Sequence, residues 1–286
     1  MIFILLNSIF HVFEGTITRK CSKKNGDGGI FFSCLISFFS MLFFLFKDLL
    51  MDSSGITIPN AMWAFGIISG LFYAGGFYYM YVALEEGSFS LVRLVSTSSI
   101  IFPIIYGVAF LGESLNVLGL VLLIVASLLF KINTKNNTDK NKGKSKRWLF
   151  YTIISVICNG LISVISRIQQ LYFNDAYTNE FLFISLAVSF LSLLMISIIK
   201  DRKRMKEIFK SSLLYSLIAG ACNGISNMLR MVAYIYVPIS IVVPINMGLE
   251  IIMSFLISIF LYKEKFTKYQ LVGAAIATVG LILLNS

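Results

Sequence analysis

The sequence predicts an all-α membrane protein of about ten transmembrane helices in two inverted five-helix repeats. Three observations predict it: the composition, the spacing of the apolar runs, and a weak similarity between the two halves. Of 286 residues, 57% are hydrophobic and only 13% are charged, and mean hydropathy is +0.85. A soluble domain carries about a quarter charged residues. This chain has too few to cover a water-facing surface.

Apolar runs fall at 2–18, 29–46, 61–84, 89–111, 114–130, 148–171, 181–199, 211–236, 240–262 and 269–284. About 20 apolar residues cross a hydrocarbon core of roughly 30 Å. Lipid offers no partner to a free backbone amide or carbonyl, so each run is expected to be helical. The runs are continuous rather than alternating, which excludes a barrel. The first run lacks a basic n-region and a small-residue cleavage site, and it contains His11 and Glu14. It is therefore expected to be a first span and not a signal peptide.

Residues 131–147, KINTKNNTDKNKGKSKR, have the composition of a solvated linker. They divide the chain into a first repeat, 1–130, and a second, 148–286. A shift of about 150 residues brings Gly70 to Gly220, Ser90 to Ser240 and Val92 to Val242; one further residue brings Glu113 to Glu264. Five helices per repeat is an odd number, so the second half enters the membrane from the opposite side. An inverted repeat with its site near the midplane is a plan of secondary transporters.

The net charge of +10 lies in the loops between the runs. One side collects Arg19, Lys20, Lys23, Lys24, the linker, the 200–210 segment, Lys263, Lys265 and Lys268; the other has Lys47. The positive-inside rule makes the basic side cytoplasmic and places both termini outside. Nucleic acid is not an expected partner, because no basic stretch is interleaved with aromatics in a polar fold. Cys21, Cys34, Cys158 and Cys222 are scattered singly, with no zinc or redox spacing, and read as packing residues.

The chain's end, FLYKEKFTKYQLVGAAIATVGLILL, resembles the short loop and last helix of the drug/metabolite transporter superfamily, in its ten-helix EamA type. The first half echoes it as FLGESLNVLGLVLLIVASLLF around Glu113. The segment FHVFEGTITRK also resembles the first helix of the small multidrug resistance proteins. That likeness implies a proton-carrying role for Glu14 alone, since the second half has Asn159-Gly160 at the comparable place.

A charged side chain at mid-bilayer costs about 2.5–3.5 kcal/mol by insertion scales, so intramembrane charges are functional candidates. Asn7, His11, Glu14 and Thr18 follow a 4-3-4 spacing, which places all four on one helix face. That stripe is expected to face the bundle interior, either as the protonatable wall of a substrate cavity or as a polar network that only orients the helix. The sixth span carries Ser155, Asn159, Ser163, Ser166 and Gln170; the eighth carries Asn223, Asn227, Arg230 and Tyr234; the ninth carries Asn246, Glu250 and Ser254. Each stripe alone fits interhelical hydrogen bonding. Together they suggest one wet cavity.

Arg230 is a candidate for holding an anionic group, with pairing to Glu250 as the equal alternative. Arg93 and Arg167 lie near span ends and are expected to snorkel. Glu113 and Glu264 sit in tight loops at helix starts and read as caps. Gly66, Gly70 and Ala74, and Gly220 and Gly224, have the small-residue spacing of close helix packing. Pro103, Pro238 and Pro244 are expected to kink spans, with a gating hinge as the other reading.

His11 is the only histidine, so neither a di-histidine site nor HExxH is available to an intramembrane hydrolase. The reading is no enzyme, no metal and no cofactor. The chain is expected to be a secondary active exporter or exchanger of a small metabolite or drug-like solute in the bacterial cell membrane. It would work by alternating access, coupled to protons, as a monomer or homodimer, with membrane lipid as its other partner. A flippase for a lipid-linked substrate and a non-transporting sensor stand as alternatives.

Overall fold

The computed structural model describes residues 1–25, 29–50, 58–87, 92, 95–114, 117–132, 147–200, 202–260 and isolated positions between 272 and 283. Among these the α-helices are α1 (Ile2–Asn25), α2 (Gly29–Leu50), α3 (Asn60–Glu86), α4 (Ile101–Leu111), α5 (Val117–Ile132), α6 (Arg147–Tyr172), α7 (Thr178–Lys200), α8 (Met205–Tyr236) and α9 (Ile239–Phe260). No strand occurs among the described residues. The tenth run, the middle of the linker, Arg93 and Glu264 lie outside them, apart from isolated helical positions in that run.

Five helices, α2, α3, α6, α7 and α8, are long and apolar enough to cross a membrane, and α4 and α9 are shorter apolar helices. α1 falls outside that group because its inward face is polar. Its other face, Ile2, Leu5, Ile9 and Phe13, is exposed at helical spacing, as a lipid-facing stripe should be.

Several of the expected runs differ from the structure, and α8 begins at Met205 and not at 211. α1 continues past Thr18 to Asn25, carrying Arg19 inside the bundle at 5% exposure. The 89–111 run is not one helix: a 3₁₀ turn, Thr97–Ile100, precedes α4. Pro103 has no N–H to return to the Ser99 carbonyl, and the Ser96 hydroxyl bonds the Val92 carbonyl at 2.8 Å.

The helices interlock across the two halves. α1 packs on α8, α3 on α6, α2 on α8 and α3 on α7, while α2 and α7 meet each other. Exchanging each helix for its repeat mate turns α1–α8 into α6–α3, and α2–α8 into α7–α3. The pairings therefore obey the repeat symmetry, and most join one half to the other.

Small residues make the closest of these contacts. A methyl placed on Gly220 would stand 2.5 Å from Phe39 Cβ and 2.9 Å from the Ile36 carbonyl, and the Ser40 hydroxyl bonds the Gly220 carbonyl at 2.8 Å across the seam. On the mate surface, a methyl on Gly70 would meet the Ser185 carbonyl at 2.5 Å. The two glycine spacings read from the sequence thus pack α8 on α2 and α3 on α7.

Glu113 corrects its expected role. Gly112 adopts φ +63 and ends α4, and the Glu113 N–H bonds back to the Gly107 carbonyl at 3.1 Å. The turn seats the carboxylate over Gly107, where it accepts the Ser240 backbone N–H at 2.9 Å. Ser240 is the second residue of α9, whose first amides lack helical partners. Glu113 therefore caps a helix of the opposite half. Glu113→Ala is expected to cost about 1 kcal/mol, read as a lower melting temperature of the purified protein; an unchanged value would mean that water replaces the cap.

Candidate functional site

The α1 stripe faces inward, with Asn7, Glu14 and Thr18 buried and His11 partly exposed. Helical periodicity alone placed these side chains together, and α3, α8 and α9 pack around them. They line a cavity of two adjoining lobes. One is bounded by His11, Glu14, Thr18, Tyr73, Asn223 and Asn227; the other by Asn7, Ser99, Asn246 and Glu250. Asn159, Arg230, His11, Met80 and Ser226 belong to both and mark their junction. Of the sixteen polar residues on the four stripes, all but Ser155, Ser166, Gln170 and Ser254 line this connected space.

Hydrogen bonds give the space an internal direction. Asn223 Nδ2 donates to Glu14 Oε2 at 3.1 Å, and Asn227 Nδ2 donates to Asn223 Oδ1 at 2.9 Å. Asn227 Oδ1 accepts from the Tyr73 hydroxyl at 3.0 Å and from Arg230 Nη2. Every donor in this relay points from Arg230 toward Glu14. A cation at one end and a carboxylate at the other polarise the amides between them in the same sense. The four-residue spacing of Asn223 and Asn227 on α8 makes this relay possible.

At the opposite wall His11 Nδ1 lies 2.6 Å from Glu250 Oε1, joining α1 to α9. Ser8 donates to Asn246 Oδ1 at 2.9 Å one turn away, and Ser226 donates to Asn7 Oδ1. Asn159 turns its amide to its own helix, to the Ser155 carbonyl at 2.8 Å, and leaves its side-chain carbonyl toward Gly76.

The hydrogen-bonded partner of Glu250 is His11, and Arg230 bonds Tyr73 and Asn227 instead of that carboxylate. Among the described residues no carboxylate lies within ion-pair distance of Arg230, and its Nε is buried without a hydrogen-bond acceptor. Arg167 lies near the C-terminal end of α6. Its Nη1 bonds the Tyr234 carbonyl at 2.9 Å, a cation at the C-terminal turn of α8.

Sequence reasoning missed Tyr73, Ser226, Ser40 and Ser8. Tyr73 sits in FYAGGFYYMY, where four tyrosines share one aromatic stretch and nothing local marks the one whose hydroxyl meets Arg230. Its position three residues after Gly70, on the side of the small-residue seam, is the one available signal.

Membrane-length helices, two interlocked repeats and a polar cavity at their interface define an integral multi-pass membrane protein of the transporter class. The EamA-like transporter family model matches residues 1–130 and 146–286, and the chain belongs to that family. It is accordingly a membrane transporter of small solutes. No curated protein matches the sequence. A solved crystal structure superimposes with a TM-score of 0.69 at 14% identity, over 98% of this chain and 95% of its own length. That likeness is one of fold.

Proposed function

We propose that the chain is a proton-coupled secondary exchanger that moves a small polar metabolite by alternating access. The carrying observation is the directed relay from Arg230 through Asn227 and Asn223 to Glu14. Arg230 holds an anionic or acceptor group of the solute with donors that no carboxylate occupies. Glu14 holds either a proton or a donor group of the same solute, because one carboxylate oxygen cannot serve both. Competition at Glu14 lets either the protonated or the solute-loaded carrier cross, and this exclusion is what couples the two fluxes.

The reading is tested in proteoliposomes holding a trapped pH indicator. A panel of labelled small amino, carboxylate and phosphate solutes is added outside under an imposed pH gradient. Coupled exchange moves protons in the direction opposite to the solute, and solute accumulation collapses when a protonophore removes the gradient. Solute flux with no proton movement would overturn the coupling.

The basic loops support a cytoplasmic linker and extracellular termini. With the four native cysteines buried, Asn285→Cys is expected to react with an impermeant thiol reagent in intact cells, while Asn137→Cys is protected. The reverse pattern would invert the orientation.

A further inference from the structure

Away from the transport cavity, a shallow cleft lies at the basic end of the molecule, where the start of α2 meets the start of α8. It is lined by Phe31, Met205, Lys206, Phe209 and Lys210. Phe31 and Met205 form the floor, joined to the buried cluster of Ile30, Leu35 and Ile208. Lys206 and Lys210, one turn apart, are exposed on the rim.

The face of α8 above this cleft changes character with depth. Phe209, Leu213 and Leu217 continue from Lys206 at helical spacing and are 44%, 38% and 46% exposed. In the other direction residues 200–204, KDRKR, are all charged, and residues 200–210 together hold six basic and two acidic side chains. Apolar rows, then an aromatic beside two lysines, then a cationic segment is the order of a phospholipid from acyl chain to headgroup. A water-soluble anion would have no use for the exposed Phe209–Leu217 stripe, and a neutral lipid would have none for the lysine pair.

We propose that this cleft is a binding site for an anionic phospholipid of the leaflet at the basic end. The phosphate lies between Lys206 and Lys210, and an acyl chain runs along Leu213 and Leu217. The lysine stems cover the apolar floor while their ammonium groups face the headgroup. The site stands independently of the solute reading, because it shares no residue with the transport cavity.

The test uses the full chain with Trp63 and Trp148, its two tryptophans, changed to Phe and a reporter introduced as Leu213→Trp. The protein is reconstituted in phosphatidylcholine vesicles in which either phosphatidylcholine or phosphatidylglycerol carries brominated acyl chains that quench tryptophan. Phosphatidylglycerol is expected to be preferred around the reporter by roughly tenfold over its bulk share. Lys206→Gln with Lys210→Gln should bring the preference close to one. Arg202→Gln with Lys203→Gln removes the same charge outside the cleft and should leave the preference within about twofold of its starting value. Equal quenching by both lipids would overturn the proposal. So would equal loss in the two double variants, which would mark a diffuse surface potential. Abolition of the preference by excess free glycerol phosphate would assign the lysines to a soluble phosphoester and overturn the lipid site.

Discussion

Reconstituted Glu14→Gln protein is expected to lose gradient-driven accumulation while remaining inserted, folded and able to equilibrate its solute. With one proton exchanged per solute, a gradient of about one pH unit supports an accumulation ratio of roughly ten. The variant should fall to unity. Glutamine retains the shape of the side chain and an oxygen that can accept Asn223 Nδ2, a bond of 3.1 Å in the native protein. The relay to Arg230 therefore keeps its partners, and only the titratable site is lost. The pH profile supplies a readout that a structural role would not move. In the native protein protons and solute compete at Glu14, so the apparent KM rises as pH falls; in the variant it is flat. The rival coupling group is the His11–Glu250 pair, whose 2.6 Å contact links α1 to α9. If Glu14→Gln accumulates solute against the proton gradient with native pH dependence, the exchange scheme at Glu14 fails and coupling moves to that pair.

The parts of the fold and site that were legible in the sequence are those written along a single helix. Asn7, His11, Glu14 and Thr18 declare one face by their spacing, as do Asn223, Asn227 and Arg230, and lipid leaves such faces nowhere to point but inward. The small-residue spacings at Gly66–Gly70 and Gly220–Gly224 marked their seams for the same reason. What one helix does not write is the identity of the neighbour. That Glu250 meets His11 and not Arg230 depends on how α1, α8 and α9 are rotated about their axes. Glu113 looked like a local cap because its loop is local; its acceptor role reaches α9 only because the repeats interlock. Tyr73 was hidden by its own aromatic neighbourhood, where packing and hydrogen bonding call for the same residue type. The broken 89–111 run was legible in principle, since four consecutive hydroxyl residues ahead of Pro103 weaken the backbone ladder.

Arg230→Gln is expected to raise the apparent KM for the solute roughly 10- to 100-fold, the usual weight of hydrogen bonds to a charged group. Maximal exchange should change far less, because the coupling carboxylate is untouched. The expectation rests on how Arg230 is held. Its Nη2 bonds the Tyr73 hydroxyl at 3.2 Å and Asn227 Oδ1, while Nε is buried with no acceptor. A guanidinium fixed on one edge by neutral partners presents its remaining donors, and its charge, to whatever enters the junction of the lobes. The loss should not be one of folding. Removing a cation from the bundle interior relieves a desolvation cost, and Asn227 Oδ1 keeps the Tyr73 hydroxyl at 3.0 Å as a donor. Size-exclusion behaviour and melting temperature should stay near native. Arg230→Lys separates charge from geometry, since a point charge with rotatable donors does not reproduce the planar fork. It should recover part of the affinity for solutes bearing a single charge and little for those that need two parallel bonds. An unchanged KM in Arg230→Gln for every transported solute would remove Arg230 from the binding site and leave it as a strut between Tyr73 and Asn227.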